Sequence, residues 1–226
     1  MADFPEGLDM ADALGDHRQG TRILLARHAE TSAPDRFHGA ESDIGLSARG
    51  FQQAEQLGRW LKVADPSALY CSAMRRAVDT AAPIGRVCGL EPVVIAALHE
   101  RRIGRLSGVS REQGWAIYAE TKERWIAGEL EVAHPGGESF ADIRLRVCPI
   151  LEDLAARHRG QTIVVIAHGV VIRVALTSLV AGFTPADFDR IAIDFASVND
   201  LWCDGRTWTA RALNQVVAPS PARPVA

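Results

Sequence analysis

The chain has 226 residues, 47% of them hydrophobic, and carries a formal net charge of −3. A hydrophobic fraction of that size excludes a disordered chain, and the length suits one α/β domain. The slightly acidic balance leaves no basic footprint for nucleic acid, so any attraction for an anion must come from arginines gathered locally.

Residues 1–20 hold five acidic residues and no apolar core, unlike a signal peptide, and an irregular lead-in is expected there. Ile23-Leu24-Leu25-Ala26 is an unalternating apolar run, the pattern of a strand buried on both faces, and it delivers Arg27 and His28. From Ser47 to about Val63 the period is helical, with Phe51, Ala54, Leu57 and Leu61 on the inward face and Asp65-Pro66 as the stop. Ala68-Leu69-Tyr70-Cys71 reads as a second buried strand, trailed by Ser72, Arg75 and Arg76. A helix is expected from about Ala73 with Met74, Ala77, Val78, Ala81, Ile84 and Cys88 as its stripe; Gly89 ends it, and Pro83 should kink or interrupt it. Both arginines fall in its first turn; one of them is expected in solvent, Arg75 being the better candidate.

Pro92-Val93-Val94-Ile95 is a third run, followed by Leu98-His99-Glu100. Arg101, Arg102 and Arg105 cluster beside Glu100. They either grip a second anionic group or form a solvated loop, and Arg102 is the one expected to face a cleft. Ser110 to Gly128 looks helical, with Trp115, Ile117, Tyr118 and Trp125 taken as packing residues. Ser139-Phe140-Ala141-Asp142 fits a capping box. The helix after it carries Phe140, Ile143, Val147, Ile150, Leu151 and Leu154, bends at Pro149 and ends near Gly160. Thr162-Ile163-Val164-Val165-Ile166-Ala167 is the fourth run and ends in His168-Gly169. The apolar stretch from Thr162 to Phe183 is long enough to invite a membrane reading. His168 and Arg173 lie inside it and Gly169 interrupts it, so a buried strand and a buried helix are expected instead, with no membrane contact. Short elements are expected over Asp187–Ile193 and Ser197–Cys203, the latter a strand, and a disordered tail over 215–226. Cys71, Cys88, Cys148 and Cys203 have no framework spacing and read as reduced thiols of a cytoplasmic protein.

If the four apolar runs are parallel strands of one sheet, the residues that come after them share one edge, outside the carboxyl ends where ligands sit. That edge collects two histidines, arginines and a glutamate. Guanidiniums beside imidazoles make a phosphate site, a neutral imidazole is a nucleophile near neutral pH, and a carboxylic acid can protonate a leaving oxygen. The combination describes phosphoryl transfer through a phosphohistidine. Metal chemistry reads worse: there is no Cys-x-x-Cys, no His-Glu-x-x-His and no calcium loop.

Leu25-Ala26-Arg27-His28-Ala29-Glu30-Thr31 resembles the Arg-His-Gly signature of the histidine phosphatase superfamily, in particular its phosphoglycerate mutase-like branch. Arg36-Phe37-His38-Gly39, Ser72-Ala73-Met74-Arg75-Arg76-Ala77, Leu98-His99-Glu100, Gly136-Gly137-Glu138-Ser139 and Ala167-His168-Gly169 resemble its further motifs in order and spacing, over roughly residues 21 to 203. The resemblance implies a three-layer α/β/α sandwich with a mostly parallel sheet: a single domain over 21–214 with a short helical lid near 108–135. It implies His28 as phosphoryl acceptor, Arg27, Arg76 and His168 as the rest of the phosphate pocket, and Glu100 as general acid and base. Thr31, Arg36, His38, Gly39, Arg102 and Gly169 are the implied substrate contacts. No metal or cofactor is implied; the partner is a small-molecule phosphomonoester, and a homodimer is compatible with the family. Ala29 stands where the family has glycine, which sets a methyl group close to His28, and Pro34 stands where asparagine is usual. The expected activity is that of a phosphatase. A cofactor-dependent phosphoglycerate mutase is the alternative, disfavoured by the short segment after the acid, and a catalytically weak binding protein of the same fold is the second.

Overall fold

The computed structural model describes residues 20–217. Six strands form one sheet in the order β3-β2-β4-β1-β5-β6. They are β1 (Thr21–Arg27), β2 (Ala68–Ser72), β3 (Pro92–Ile95), β4 (Thr162–Ala167), β5 (Ser197–Cys203) and β6 (Trp208–Val216). The first four are mutually parallel, and β5 and β6 add antiparallel at one side, β5 on β1 and β6 on β5. Among the described residues there are five α-helices: α1 (Ala48–Lys62), α2 (Arg75–Cys88), α4 (Phe140–Arg157) and α5 (Gly169–Leu179) cover the sheet, and α3 (Arg111–Ile126) packs against the turn Pro185–Asp187. Among the described residues no helix is long and apolar enough to cross a membrane.

The pleat sorts the central strands between two cores. Ile23 and Leu25 of β1 and Ile163 and Val165 of β4 face α4 and α5. Leu24 and Ala26 with Val164 and Ile166 face α1 and α2. Because both faces are buried, these strands carry unbroken apolar runs in place of alternation. This is the expected three-layer α/β/α sandwich with a mostly parallel sheet.

The capping box at Ser139 and the stop at Gly89 stand where the sequence places them, and the structure adds a cap at Ser47. The Ser47 Oγ accepts the Gly50 amide to start α1, and Ser139 and Asp142 form the reciprocal capping box of α4. Gly89, in the left-handed region at φ +74°, closes α2. Several expectations need correction. Phe51 is 48% exposed. The inward position in the first turn of α1 belongs to Gly50, where a Cβ would stand 2.1 Å from the Glu30 carbonyl oxygen. Val78 likewise faces out, at 37% exposure. Neither Pro83 nor Pro149 interrupts its helix. Pro83 is buried where Gly58 of α1 approaches α2; a Cβ on Gly58 would meet the Ile84 Cα at 3.2 Å. Tight interhelical packing there offsets the lost backbone bond. The residue four before Pro149 is Leu145, 72% exposed, whose freed carbonyl can turn to water. Between Asp187 and Ile193 only the end of a 3₁₀ turn, Pro185–Asp187, is regular. Strand β6 has no counterpart among the sequence expectations and runs through Val216, taking in the first two residues of the expected tail. The remainder of that tail and the lead-in up to residue 19 lie outside the described residues.

Candidate active site

Strand order brings the site together. β1, β4 and β2 are neighbours, with Arg27 opposite Ala167 and Cys71 opposite Ile166 in register. The residues that follow β1 and β4, His28 and His168, therefore leave the sheet side by side, next to Ser72, the last residue of β2. The rings of His28 and His168 lie 5.1 Å apart between centroids, tilted by 56°.

The His28 Nδ1 is 2.8 Å from the Ala29 carbonyl oxygen. A carbonyl only accepts, so Nδ1 carries the proton and Nε2 is left with its lone pair. Burial, then the charges of Arg76 and Arg27, hold this imidazole well below its ordinary pKa. It is thus neutral near pH 7. Burial, Arg76, His28 and Arg27 do the same to His168. The His168 Nε2 is 2.8 Å from the Ser72 Oγ, while its Nδ1 is buried without a partner.

Arg76, in the first turn of α2, is 1% exposed and donates to the carbonyls of Ser42 (2.9 Å) and Gly39 (3.4 Å). The Arg27 Nη1 donates to the Ile193 carbonyl at 2.7 Å, and the guanidinium lies 4.0 Å from the Phe195 ring centroid. Burial lowers its pKa to about 10, which still leaves it charged at neutral pH. The carboxylate of Glu100 accepts the amides of Arg101 (2.9 Å) and Val170 (3.4 Å). Arg27, His28, Arg76 and Glu100 open onto one cavity of about 210 Å³. Its wall carries seven cationic side chains and two carboxylates, Glu100 and Asp189, an arrangement that concentrates small anions.

The substrate contacts expected from the sequence divide. Thr31, Arg36, His38 and Gly169 line the cavity. The Thr31 Oγ1 is buried and unpartnered, and the Arg36 Nη1 donates to the Gly108 carbonyl. The His38 ring is engaged on both sides, by the Ser42 Oγ at 2.9 Å and the Ala33 carbonyl at 2.8 Å. Gly39 does not line the cavity. Its carbonyl serves Arg76, and a Cβ there would press within 2.4 Å of the Ile103 Cγ1. Arg102 also fails the expectation: its side chain is 60% exposed and lies 3.9 Å from Glu138, off the cavity wall. Arg101 takes the inward place. It is 1% exposed, has no hydrogen-bond partner for any guanidinium nitrogen, and lies 4.9 Å and 5.1 Å from the ring centroids of Trp125 and Tyr118. Ala29 packs its methyl into the core beneath α1 and α2, not into the cavity.

Arg111, Lys122, Arg173, Trp115 and Phe195 also line the cavity and were not assigned to it from the sequence. Arg173 left one signal: it is the single charge in an apolar helix, one turn beyond Gly169. Arg111 and Lys122 left none, because α3 is polar on most sides.

Fold and site together define a class: an α/β protein with a histidine pair at the carboxyl edge of its sheet, His28 opening onto an arginine-rich anion pocket and His168 buried behind it, off the cavity wall. The family model described as "Histidine phosphatase superfamily (branch 1)" matches residues 23–216. A metal-independent phosphoserine phosphatase of Arabidopsis thaliana is 35% identical over 68% of this chain and 66% of its own length. Phosphoserine phosphatase 1 of Hydrogenobacter thermophilus is 31% identical over 85% of this chain and 92% of its own. Among solved structures, the mycobacterial glucosyl-3-phosphoglycerate phosphatase is 26% identical, with a TM-score of 0.76 over 87% of this chain and all of its own. The chain belongs to the histidine phosphatase superfamily.

Proposed function

We propose that the protein is a metal-independent phosphatase that hydrolyses a small phosphomonoester through a phosphohistidine on His28. The observation that carries this reading is the His28 ring: its Nδ1–H is committed to the Ala29 carbonyl, and its neutral Nε2 is free in a pocket of guanidiniums.

The phosphate sits against Arg27 and Arg76, with His168 alongside His28. The lone pair of the His28 Nε2 attacks phosphorus; a P–N bond forms as the ester P–O bond breaks. The guanidiniums stabilise charge on the equatorial oxygens. Glu100 gives its proton to the departing alkoxide, a contribution of roughly 10²–10⁴-fold. Water then attacks the phosphohistidine, Glu100 takes its proton, and inorganic phosphate leaves His28 as it was.

The buried, unpaired Arg101 and the cationic excess of the cavity support an ester that bears a second anionic group, and phosphoserine, the substrate named for two of the relatives, is of that class. Four free cysteines support a reducing, cytoplasmic setting. The α3 segment, whose Trp115, Tyr118 and Lys122 form one wall of the cavity, serves as its lid.

The test is turnover of a phosphomonoester panel with chelator present, for the wild type and for His28→Ala. Chelator-resistant hydrolysis is expected, together with acid-labile radiolabel on the wild type and none on the variant. Turnover retained in His28→Ala would remove His28 from the nucleophile's role.

A further inference from the structure

The segment Gly136-Gly137-Glu138-Ser139 contains a carboxylate that the chemistry above leaves unused. Glu138 is 5% exposed and is not part of the cavity wall. Its Oε1 accepts the Nε–H of Arg146 at 2.8 Å, and its Oε2 accepts from Nη2 at 3.1 Å. Burial pushes the Glu138 carboxyl up, but the hydrogen bonds from Arg146 and the Arg102 amide outweigh it and hold the group below the ordinary carboxylate range. It is therefore a part-buried ion pair with fork geometry, the arrangement that fixes direction as well as charge.

The pair's remaining bonds all go to the loop that carries Glu100. The Arg146 Nη1 donates to the carbonyls of Ala97 (2.7 Å) and His99 (2.9 Å). On the other side of Glu100, the Glu138 Oε2 accepts the Arg102 amide at 2.8 Å, and the Glu138 amide donates to the Arg102 carbonyl at 3.0 Å. One ion pair thus clamps the backbone on both flanks of the carboxylate. We propose that Glu138 and Arg146 are positioning residues, holding the 97–102 backbone so that Glu100 is presented to the leaving oxygen in the cavity. The proposal rests on Glu100 being the general acid. Outer-shell partners of this kind matter because a displacement of about 1 Å at a reacting group can cost on the order of 10²-fold.

The experiment compares kcat for glycerol 3-phosphate, with its alkoxide leaving group, and for p-nitrophenyl phosphate, which needs little acid assistance. Arg146→Met should lower the alkyl-to-aryl ratio by about 10- to 100-fold. Arg146→Lys, which keeps the charge but not the fork, should recover part of that loss. In a Glu100→Gln background, Arg146→Met should lower the ratio no further. Equal losses on the two esters, or a fully additive double variant, would overturn the proposal. If Arg146→Met does not fold, Glu138→Gln is read in the same way. Amide exchange over residues 98–103 supplies a readout without turnover. It should quicken in the variant while β4 stays protected, and unchanged exchange would refute the brace. A wild type that hydrolysed neither ester would sink the phosphatase reading instead, with the exchange data still deciding whether the pair holds the loop.

Discussion

Lowering the pH should destabilise this protein in a window set by its two site histidines. Both rings are buried beside Arg76 and Arg27, and both are held well below the ordinary imidazole pKa. In the unfolded chain each takes up a proton near pH 6.5, whereas the native rings stay neutral. The unfolded state then binds more protons, so stability rises with pH and is lost as pH falls below about 6.5. Each ring contributes at most about 1.4 kcal/mol per pH unit, so the pair gives a limiting slope of about 2.8 kcal/mol per unit. Against a total stability of about 5–15 kcal/mol, one unit of acid is a large perturbation. His38 and His134, also lowered chiefly by burial, add in the same direction. Urea denaturation followed by circular dichroism from pH 5 to 7.5, in phosphate-free buffer, measures the slope. His28→Asn and His168→Asn should each remove about one ring's share. Saturating inorganic phosphate should flatten the curve, because a bound dianion favours the charged rings. Stability that is level across pH 5.5–6.5, or a slope unchanged with both histidines replaced, would refute this account of the pocket.

Three further outcomes are expected. Glu100→Gln should slow hydrolysis of alkyl phosphates by roughly 10²–10⁴-fold and of p-nitrophenyl phosphate far less; equal losses would take Glu100 out of the acid's role. Gly50→Ala should lower stability by about 1–3 kcal/mol, since its methyl would collide with the Glu30 carbonyl; an unshifted urea midpoint would show that the β1–α1 connection yields without cost. Arg101→Met should raise KM about 10- to 100-fold for 3-phosphoglycerate and much less for glycerol 3-phosphate, which lacks the carboxylate; matched changes on the two would rule out a second-anion contact.

Much of the fold was legible from local rules. The capping box at Ser139, the glycine stop after Cys88 and the four parallel strands depend on residues close together in sequence, and the structure agrees with them. Phe51 misled because periodicity counts apolar residues and overlooks glycine, and Gly50 takes the inward position by letting backbones meet; beside Val78 the inward positions go to Arg76, Ala77, Thr80 and Ala81. β6 passed unnoticed because all but one of its residues are half-buried or exposed, so its hydrophobic alternation is weak and its strand state depends on pairing with β5.

The convergence of His28 with His168 was open to sequence reasoning. Each comes directly after a buried run, and parallel strands bring the residues at their carboxyl ends to one edge. Whether Arg101 or Arg102 turns inward was not. Adjacent residues in an irregular loop have no period to separate them, and the choice fell to long-range partners: Trp125 and Tyr118 beside one guanidinium, Glu138 near the other. The residues alone thus determined the four parallel strands, the histidine pair and the reaction class, since these arise from short-range patterning and side-chain chemistry. Only the tertiary structure decided which cations face the ester and what holds the acid in place, because those are contacts between segments far apart in the chain.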